Sequence, residues 1–249
     1  MGTEAPVHED RLMYTDIHSH IIWGVDDGAE RMEDTFHMLR EAKQDDIDSI
    51  ICTPHMYPGE LRFDYERFEN HFREAEEYIK DHDLGIKLYR GAEVYYTPNT
   101  VRLLQEGKVY TLADTNLVLI EFMPDAGEKQ ITVATQKIAS AGYIPVLAHT
   151  ERYRALRKIQ QVEQLKTQFN AQIQVNARTL TARFPLMRRA YMNKLIREGL
   201  VDYLATDTHA FAGRKTCLSA GMEALNHRYG EEVYEHIKQN SENIVKKFN

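Results

Sequence analysis

The chain has 249 residues, with 31 Lys and Arg against 38 Asp and Glu and a formal charge of −7. This balance excludes a nucleic-acid-binding surface, because phosphate backbones are held by clustered cations that the sequence lacks. No apolar run approaches the roughly eighteen residues of a membrane span, and Met1 to Arg11 is polar and acidic, unlike a signal peptide, so a cytoplasmic protein without membrane insertion is expected.

In chain order, a flexible tail over 1–11 followed by one domain over 12–249 is expected. Residues 12–17 predict a first strand, and Met32, Phe36, Leu39 and Ala42 recur at helical spacing within a helix over 30–42. A buried strand over 48–53 stops at Thr53-Pro54-His55, and a charged helix over 64–82 carries Tyr65, Phe68, Phe72, Ala75 and Ile79 on one face. Further strands are predicted over 86–92, 117–120, 144–148, 173–175 and 203–206. Between and after them come a short helix from near Pro98 and helices over 127–141, 159–169, 186–197 and 220–248. Seven short apolar strands alternating with amphipathic helices predict an α/β fold on a parallel sheet. Cys52 and Cys217 have neither a disulfide framework nor zinc-knuckle spacing and read as small packed side chains.

Residues able to bind metal stand at nearly every strand end: His18 and His20, His55, Glu93, Glu121, His149, then Asp207 and His209, with Asn176 at the sixth. In βα barrels the C-terminal strand ends converge, so positions two hundred residues apart would meet there. Along an extended strand Asp16, His18 and His20 share a face, which suits two ligands and an orienting carboxylate. Spacing does not choose between Asp26 and Asp27 as a further ligand, and an Asp in Asp-Asp-Gly can serve the turn alone. His8, His37, His71, His82, His227 and His236 read as solvated.

Mixed imidazole and carboxylate ligands suit Mn, Fe, Zn or Co, and so many donors imply two or three ions. Paired ions can share a carboxylate, produce hydroxide and stabilise a phosphoryl group under attack, with Arg152 and Arg214 on the same face for its oxygens. Neither cysteine begins a Cys-x5-Arg loop, which excludes a cysteine-phosphatase mechanism, and the absence of a Gly-x-Ser-x-Gly elbow or P-loop counts against serine-hydrolase and P-loop mechanisms.

The motifs Asp16-Ile-His-Ser-His20, Gly24-Val-Asp-Asp-Gly28, Thr53-Pro-His55, Gly91-Ala-Glu93, Leu119-Ile-Glu-Phe122, Ala148-His149 with Glu151-Arg152, and Ala205-Thr-Asp-Thr-His-Ala210 with Arg214 resemble the polymerase and histidinol phosphatase (PHP) domain family. The likeness is to its bacterial metal-dependent tyrosine phosphatases of the CpsB/CapC/YwqE type. It implies a distorted (β/α)7 barrel with a metal site at the C-terminal strand ends and up to three ions, usually manganese or iron. By this resemblance His18, His20, Asp27, His55, Glu93, Glu121, His149, Asp207 and His209 are the ligands, and Arg152 and Arg214 bind phosphate. It further implies a metal-bound hydroxide attacking phosphotyrosine on the tail of a tyrosine autokinase of capsule or exopolysaccharide biosynthesis, and family members often form homo-oligomers.

One departure is Trp23, where many members have proline; its indole either walls a phenyl pocket with Tyr57, Tyr95, Tyr96 and Phe211 or packs the loop. The alternative activity is a small-molecule phosphoesterase such as a histidinol-phosphate phosphatase. A non-catalytic metal protein would be expected to lose ligands, and none is missing. An amidohydrolase would show a lysine at a strand end, and no lysine ends one.

Overall fold

The computed structural model describes residues 13–181, 186–209 and 215–246, so the expected tail lies outside it. Among these residues nine strand segments form: β1 (Tyr14–Ser19), β2 (Ile47–Cys52), β3 (His55–Met56), β4 (Lys87–Arg90), β5 (Glu93–Tyr95), β6 (Leu117–Glu121), β7 (Ile144–Leu147), β8 (Gln172–Asn176) and β9 (Tyr203–Ala205). The helices are α1 (Met32–Gln44), α2 (Tyr65–Asp81), α3 (Thr100–Gln105), α4 (Glu128–Ser140), α5 (Ile159–Phe169), α6 (Arg178–Thr181), α7 (Leu186–Arg197), α8 (Leu218–Tyr229) and α9 (Glu231–Val245). Every pairing is parallel, in the orders β1-β2-β4 and β3-β5-β6-β7-β8-β9. A bridge between Ser19 and Thr208 ties the end of β1 to the segment after β9, so the sheet curls.

Strand alternation divides the core into two layers. Leu117 and Leu119 of β6 join Ile17, Ile51, Val146 and Ala205 in an inner cluster, closed by Ile244 and Val245 of α9. Val118 and Ile120 face the larger cluster beneath the helices. A strand buried on both faces must be apolar throughout, which is why residues 117–120 read as an unbroken hydrophobic run. Helix α2 starts where the Asp64 carboxylate accepts from the Arg67 amide, and it buries Phe68, Phe72, Ala75 and Ile79. Full burial of Phe68 and Phe72 contributes about 2–3 kcal/mol each. Tyr65, expected on that face, is exposed.

The nine segments replace seven predicted strands because two chain passes break. Pro54 has no amide for the ladder, and beyond it the chain resumes as β3. Thr53 N donates to Ser19 O at 2.8 Å and Glu93 N to Pro54 O at 3.1 Å, which anchors the break on both sides. The next pass breaks at Gly91-Ala92, where a Cβ on Gly91 would lie 2.7 Å from Ile51 Cγ2. The predicted C-terminal helix is likewise two helices, divided at Gly230, whose φ of 91° only glycine adopts freely. No helix among the described residues is long and apolar enough to cross a membrane.

Asp16 fastens the first strand to the last. Its buried carboxylate accepts from Thr206 N at 3.0 Å, from the Thr206 hydroxyl and from His18 N. Burial raises its pKa, the three donors oppose, and it settles at about 6. Asp16→Ala would leave those donors unpaired and cost roughly 3 kcal/mol, lowering the melting temperature of the metal-stripped protein by roughly 10 °C. Asp16→Asn keeps an oxygen for both amides and an NH2 that a rotated Thr206 hydroxyl can accept, so it should lose less than half as much. Thermal unfolding followed by circular dichroism checks this; an alanine variant that melts with the wild type would contradict the clasp.

Candidate metal centre

The strand geometry delivers the predicted residues to one place. His18 lies on β1, and the chain leaving that strand is held as His20 N donates to Thr208 O at 2.9 Å. His55 and Glu93 are direct partners in the parallel ladder of β3 and β5, and Tyr95 pairs with Glu121 on β6. His149 follows β7 and Asp207 follows β9 with φ of 32° and 53°, in the left-handed region that costs a residue with a side chain about 1–3 kcal/mol. Two hydrogen bonds hold these conformations: His149 N donates to Gln174 Oε1 at 2.6 Å, and Asp207 N to His18 O at 2.9 Å.

Glu93 is at the middle, 1% exposed. Its Oε2 lies 3.2 Å from His18 Nε2, 3.2 Å from His20 Nε2 and 3.1 Å from His55 Nδ1, while Oε1 lies 2.7 Å from His149 Nε2. The two Nε2 atoms of His18 and His20 are 3.2 Å apart, and Asp207 Oδ1 is 3.7 and 3.8 Å from them. Ligand atoms at about 2.05 Å in a tetrahedron are separated by about 3.3 Å. His18, His20, Glu93 and Asp207 thus form one group that could hold a metal ion.

A second group is His55, Glu93 and Glu121, with His149 Nε2 3.4 Å from Glu121 Oε1. A third is His20, Asp27, His55 and His209, where Asp27 Oδ1 lies 3.3 Å from His55 Nε2 and 3.4 Å from His209 Nε2. The Nδ1 atom of His55 is buried and makes no hydrogen bond although Glu93 Oε2 lies 3.1 Å away, in keeping with a nitrogen turned toward a shared cation.

The charges point the same way. Burial disfavours ionised Glu93, yet His18, His149 and His20 hold its pKa well below the usual carboxylate range. Burial likewise opposes charge on His20 and His149, but Asp26 and Glu93 hold the first well above the ordinary imidazole value, and Glu121 and Glu93 raise the second to about 9. Carboxylates that draw protons onto their neighbours provide the field that a divalent cation needs.

Asp26 and Asp27 divide the work that spacing left open. The side chain of Asp26, 4% exposed, accepts from Gly28 N at 2.9 Å, meets His20 Nδ1 at 2.7 Å and accepts from His55 N at 3.0 Å. It closes the turn and orients one imidazole, while the 67% exposed Asp27 faces His55 and His209. Gly28 is required because a Cβ there would meet His20 O at 2.1 Å.

The Asn176 amide donates to Asp207 Oδ2 at 2.7 Å, and Arg152 donates to the same oxygen. Gln174, which the sequence reading missed, lies two residues before Asn176 on the same face of β8; its Oε1 accepts from His149 N and lies 3.3 Å from His18 Nδ1. Strand alternation from Asn176 was the available signal.

The aromatic expectations separate. Tyr57 stands beside the centre, its ring 6.1 Å from His55 and 5.4 Å from half-buried Tyr95, and Tyr96 packs 5.9 Å from Phe122. Trp23 corrects the pocket reading: it is 8% exposed and stacks on His71 at 4.0 Å with Phe36 at its edge, so it packs the loop. His71, expected to be solvated, is held there by Trp23 O at 2.8 Å. Arg214 and Phe211 lie outside the described residues.

Comparison with known proteins agrees with this geometry. The family model described as "Capsular polysaccharide synthesis, CpsB/CapC" matches residues 14–246. Tyrosine-protein phosphatase CpsB of Streptococcus pneumoniae is 28% identical over 221 residues, covering 86% of this chain and 90% of its own length. Tyrosine-protein phosphatase YwqE of Bacillus subtilis is 26% identical, covering 93% and 91%. The fold matches a crystal structure from work on Bacillus subtilis YwqE and Streptococcus pneumoniae CpsB, described as metal-dependent tyrosine phosphatases, with a TM-score of 0.86 and 25% identity over 94% of this chain and 95% of that one. A Lactococcus lactis histidinol phosphate phosphatase shares the fold alone, with a TM-score of 0.55 and 11% identity over 89% of this chain and 95% of its own. With a match that runs from β1 to the end of α9, the chain belongs to the CpsB/CapC family of capsular polysaccharide synthesis.

Proposed function

We propose that this protein is a metal-dependent phosphotyrosine-protein phosphatase that acts in the cytoplasm on the tail of a tyrosine autokinase of capsule or exopolysaccharide biosynthesis. The observation that carries the reading is Glu93, whose Oε2 meets His18, His20 and His55 while its Oε1 meets His149, so that its two oxygens face different donors as those of a carboxylate shared by two ions do. On this reading residues 12–249 form one distorted (β/α)7 barrel with its metals at the C-terminal strand ends. His18, His20, Asp27, His55, Glu93, Glu121, His149, Asp207 and His209 hold two or three divalent ions, manganese foremost. His20 and His55 each belong to two of the three donor groups, and a neutral imidazole has one lone pair, which favours two fully ligated ions.

When bound, the ions would supply Lewis acidity and an ionised water at neutral pH. The chain's own groups prepare the rest. Asp26 accepts the Nδ1 proton of His20, and Gln174 faces Nδ1 of His18, so both rings present Nε2 inward. Arg152, held by Asp207, has further N–H donors for the non-bridging phosphate oxygens, and Arg214 would be its companion. Tyr57 and Tyr95 offer a wall for the phenyl ring. A tyrosinate leaves without a strong general acid.

The activity is tested by refilling metal-stripped protein with manganese and comparing p-nitrophenyl phosphate, a phosphotyrosine peptide and histidinol phosphate. Turnover of both aryl substrates is expected, reduced on the order of a thousandfold in Glu93→Gln. Preference for histidinol phosphate would replace the substrate, and metal binding without turnover would end the catalytic reading. Independently of activity, manganese at about a hundred times its dissociation constant should stabilise the fold by about 2.7 kcal/mol and raise the melting temperature by roughly 5–10 °C. Gln174→Leu should need ten- to a hundredfold more manganese, roughly, for the same shift. A wild-type melting temperature indifferent to manganese would remove the metal centre.

A further inference from the structure

We propose that Arg62 is a specificity residue, its guanidinium receiving an acidic side chain adjacent to the phosphotyrosine of the protein substrate; the assignment rests on the phosphatase reading. A cleft of about 500 Å³ is lined both by Asp26, Asp27 and His55 of the candidate centre and by Leu61, Arg62 and Phe63. The segment 61–64 also walls a second cavity, of about 940 Å³, that continues to Leu103 and Lys108. Arg62 therefore borders both spaces. An extended peptide whose phosphotyrosine reaches the donor groups through the first cleft must pass this segment.

Charge identifies the neighbour. Asp26 is matched by His20 and two backbone amides. Asp64 caps α2 and lies 3.6 Å from Arg67, which also donates to Gly24 O at 3.2 Å. Lys108 pairs with Glu106 at 2.8 Å, and Asp27 belongs to the third donor group. Arg62 has no ion pair or hydrogen bond among the described residues and is exposed, next to Leu61, whose side chain is 66% exposed. An unmatched cation and an exposed hydrophobe thus lie together on the cleft that reaches the candidate centre. Glu66 borders only the outer cavity and would repel an acid placed there, which confines the preference to positions next to the phosphotyrosine. A guanidinium recognises a carboxylate through paired N–H donors, and a neutral or basic neighbour would forgo that contact.

The test uses the full chain loaded with manganese and fluorescein-labelled pentapeptides carrying a non-hydrolysable difluorophosphonate in place of phosphotyrosine, flanked by glutamate, alanine or lysine. By fluorescence anisotropy the wild type should prefer the glutamate-flanked peptide over the alanine-flanked one by about fivefold, the scale of a partly exposed ion pair. Arg62→Ala should abolish that preference, and Arg62→Glu should reverse it toward the lysine-flanked peptide. Turnover of p-nitrophenyl phosphate, which has no flanking residue for Arg62 to meet, should stay within about twofold in both variants. Equal or undetectable binding of the three peptides by the wild type would overturn the proposal, as would an acidic preference that survives Arg62→Glu. A loss of p-nitrophenyl phosphate turnover in Arg62→Ala as large as its loss of peptide affinity would also overturn it, by placing the residue in the catalytic centre. If the wild type turns over no aryl phosphate but its acidic preference still depends on Arg62, the phosphatase reading fails and the recognition role stands.

Discussion

A single buried carboxylate sets the terms for the rest of the molecule. Glu93 is 1% exposed and has imidazole nitrogens of His18, His20, His55 and His149 within 3.2 Å. An isolated carboxylate in such a place would cost several kcal/mol. The surrounding rings make its burial tolerable.

That arrangement is costly in backbone terms, and the fold meets the cost locally. The chain breaks two strands, at Thr53-Pro54 and Gly91-Ala92, so that His55 and Glu93 begin new segments in register with each other. His149 and Asp207 adopt left-handed backbones that Gln174 and the carbonyl of His18 stabilise. Asp16 joins β1 to the Thr206 turn, which fixes the strand that carries His18 and leads into His20 relative to the loop carrying Asp207 and His209. Stability and site geometry are thus properties of the same hydrogen bonds. A donor set held this firmly in a water-poor pocket needs little reorganisation when charge develops on a substrate.

Much of this was legible from residue order because it depends on period. Alternation along β1 and into the residue that follows it places His18 and His20 together, and unbroken apolar runs such as 117–120 mark strands whose ends carry the acids and histidines. What was not legible depends on contacts between distant segments. The division of Gly91-Ala92 from β4 follows from the approach of Ile51, which no local pattern encodes. Asp26 and Asp27 are adjacent and chemically identical, and only the positions of His20, Gly28 and His55 assign one to orientation. Sequence position near the histidines left Trp23 open between pocket wall and loop packing, and its stacking partner His71, 48 residues away on a helix, supports packing.

The most direct test of the account is anomalous diffraction from crystals grown with manganese. Two peaks are predicted on either side of Glu93, one within about 2.2 Å of His18, His20 and Asp207 donor atoms and the other at a similar distance from Glu121 and His149. No peak in contact with Glu93, or manganese confined to exposed Asp27, would contradict the claim that this carboxylate organises the centre.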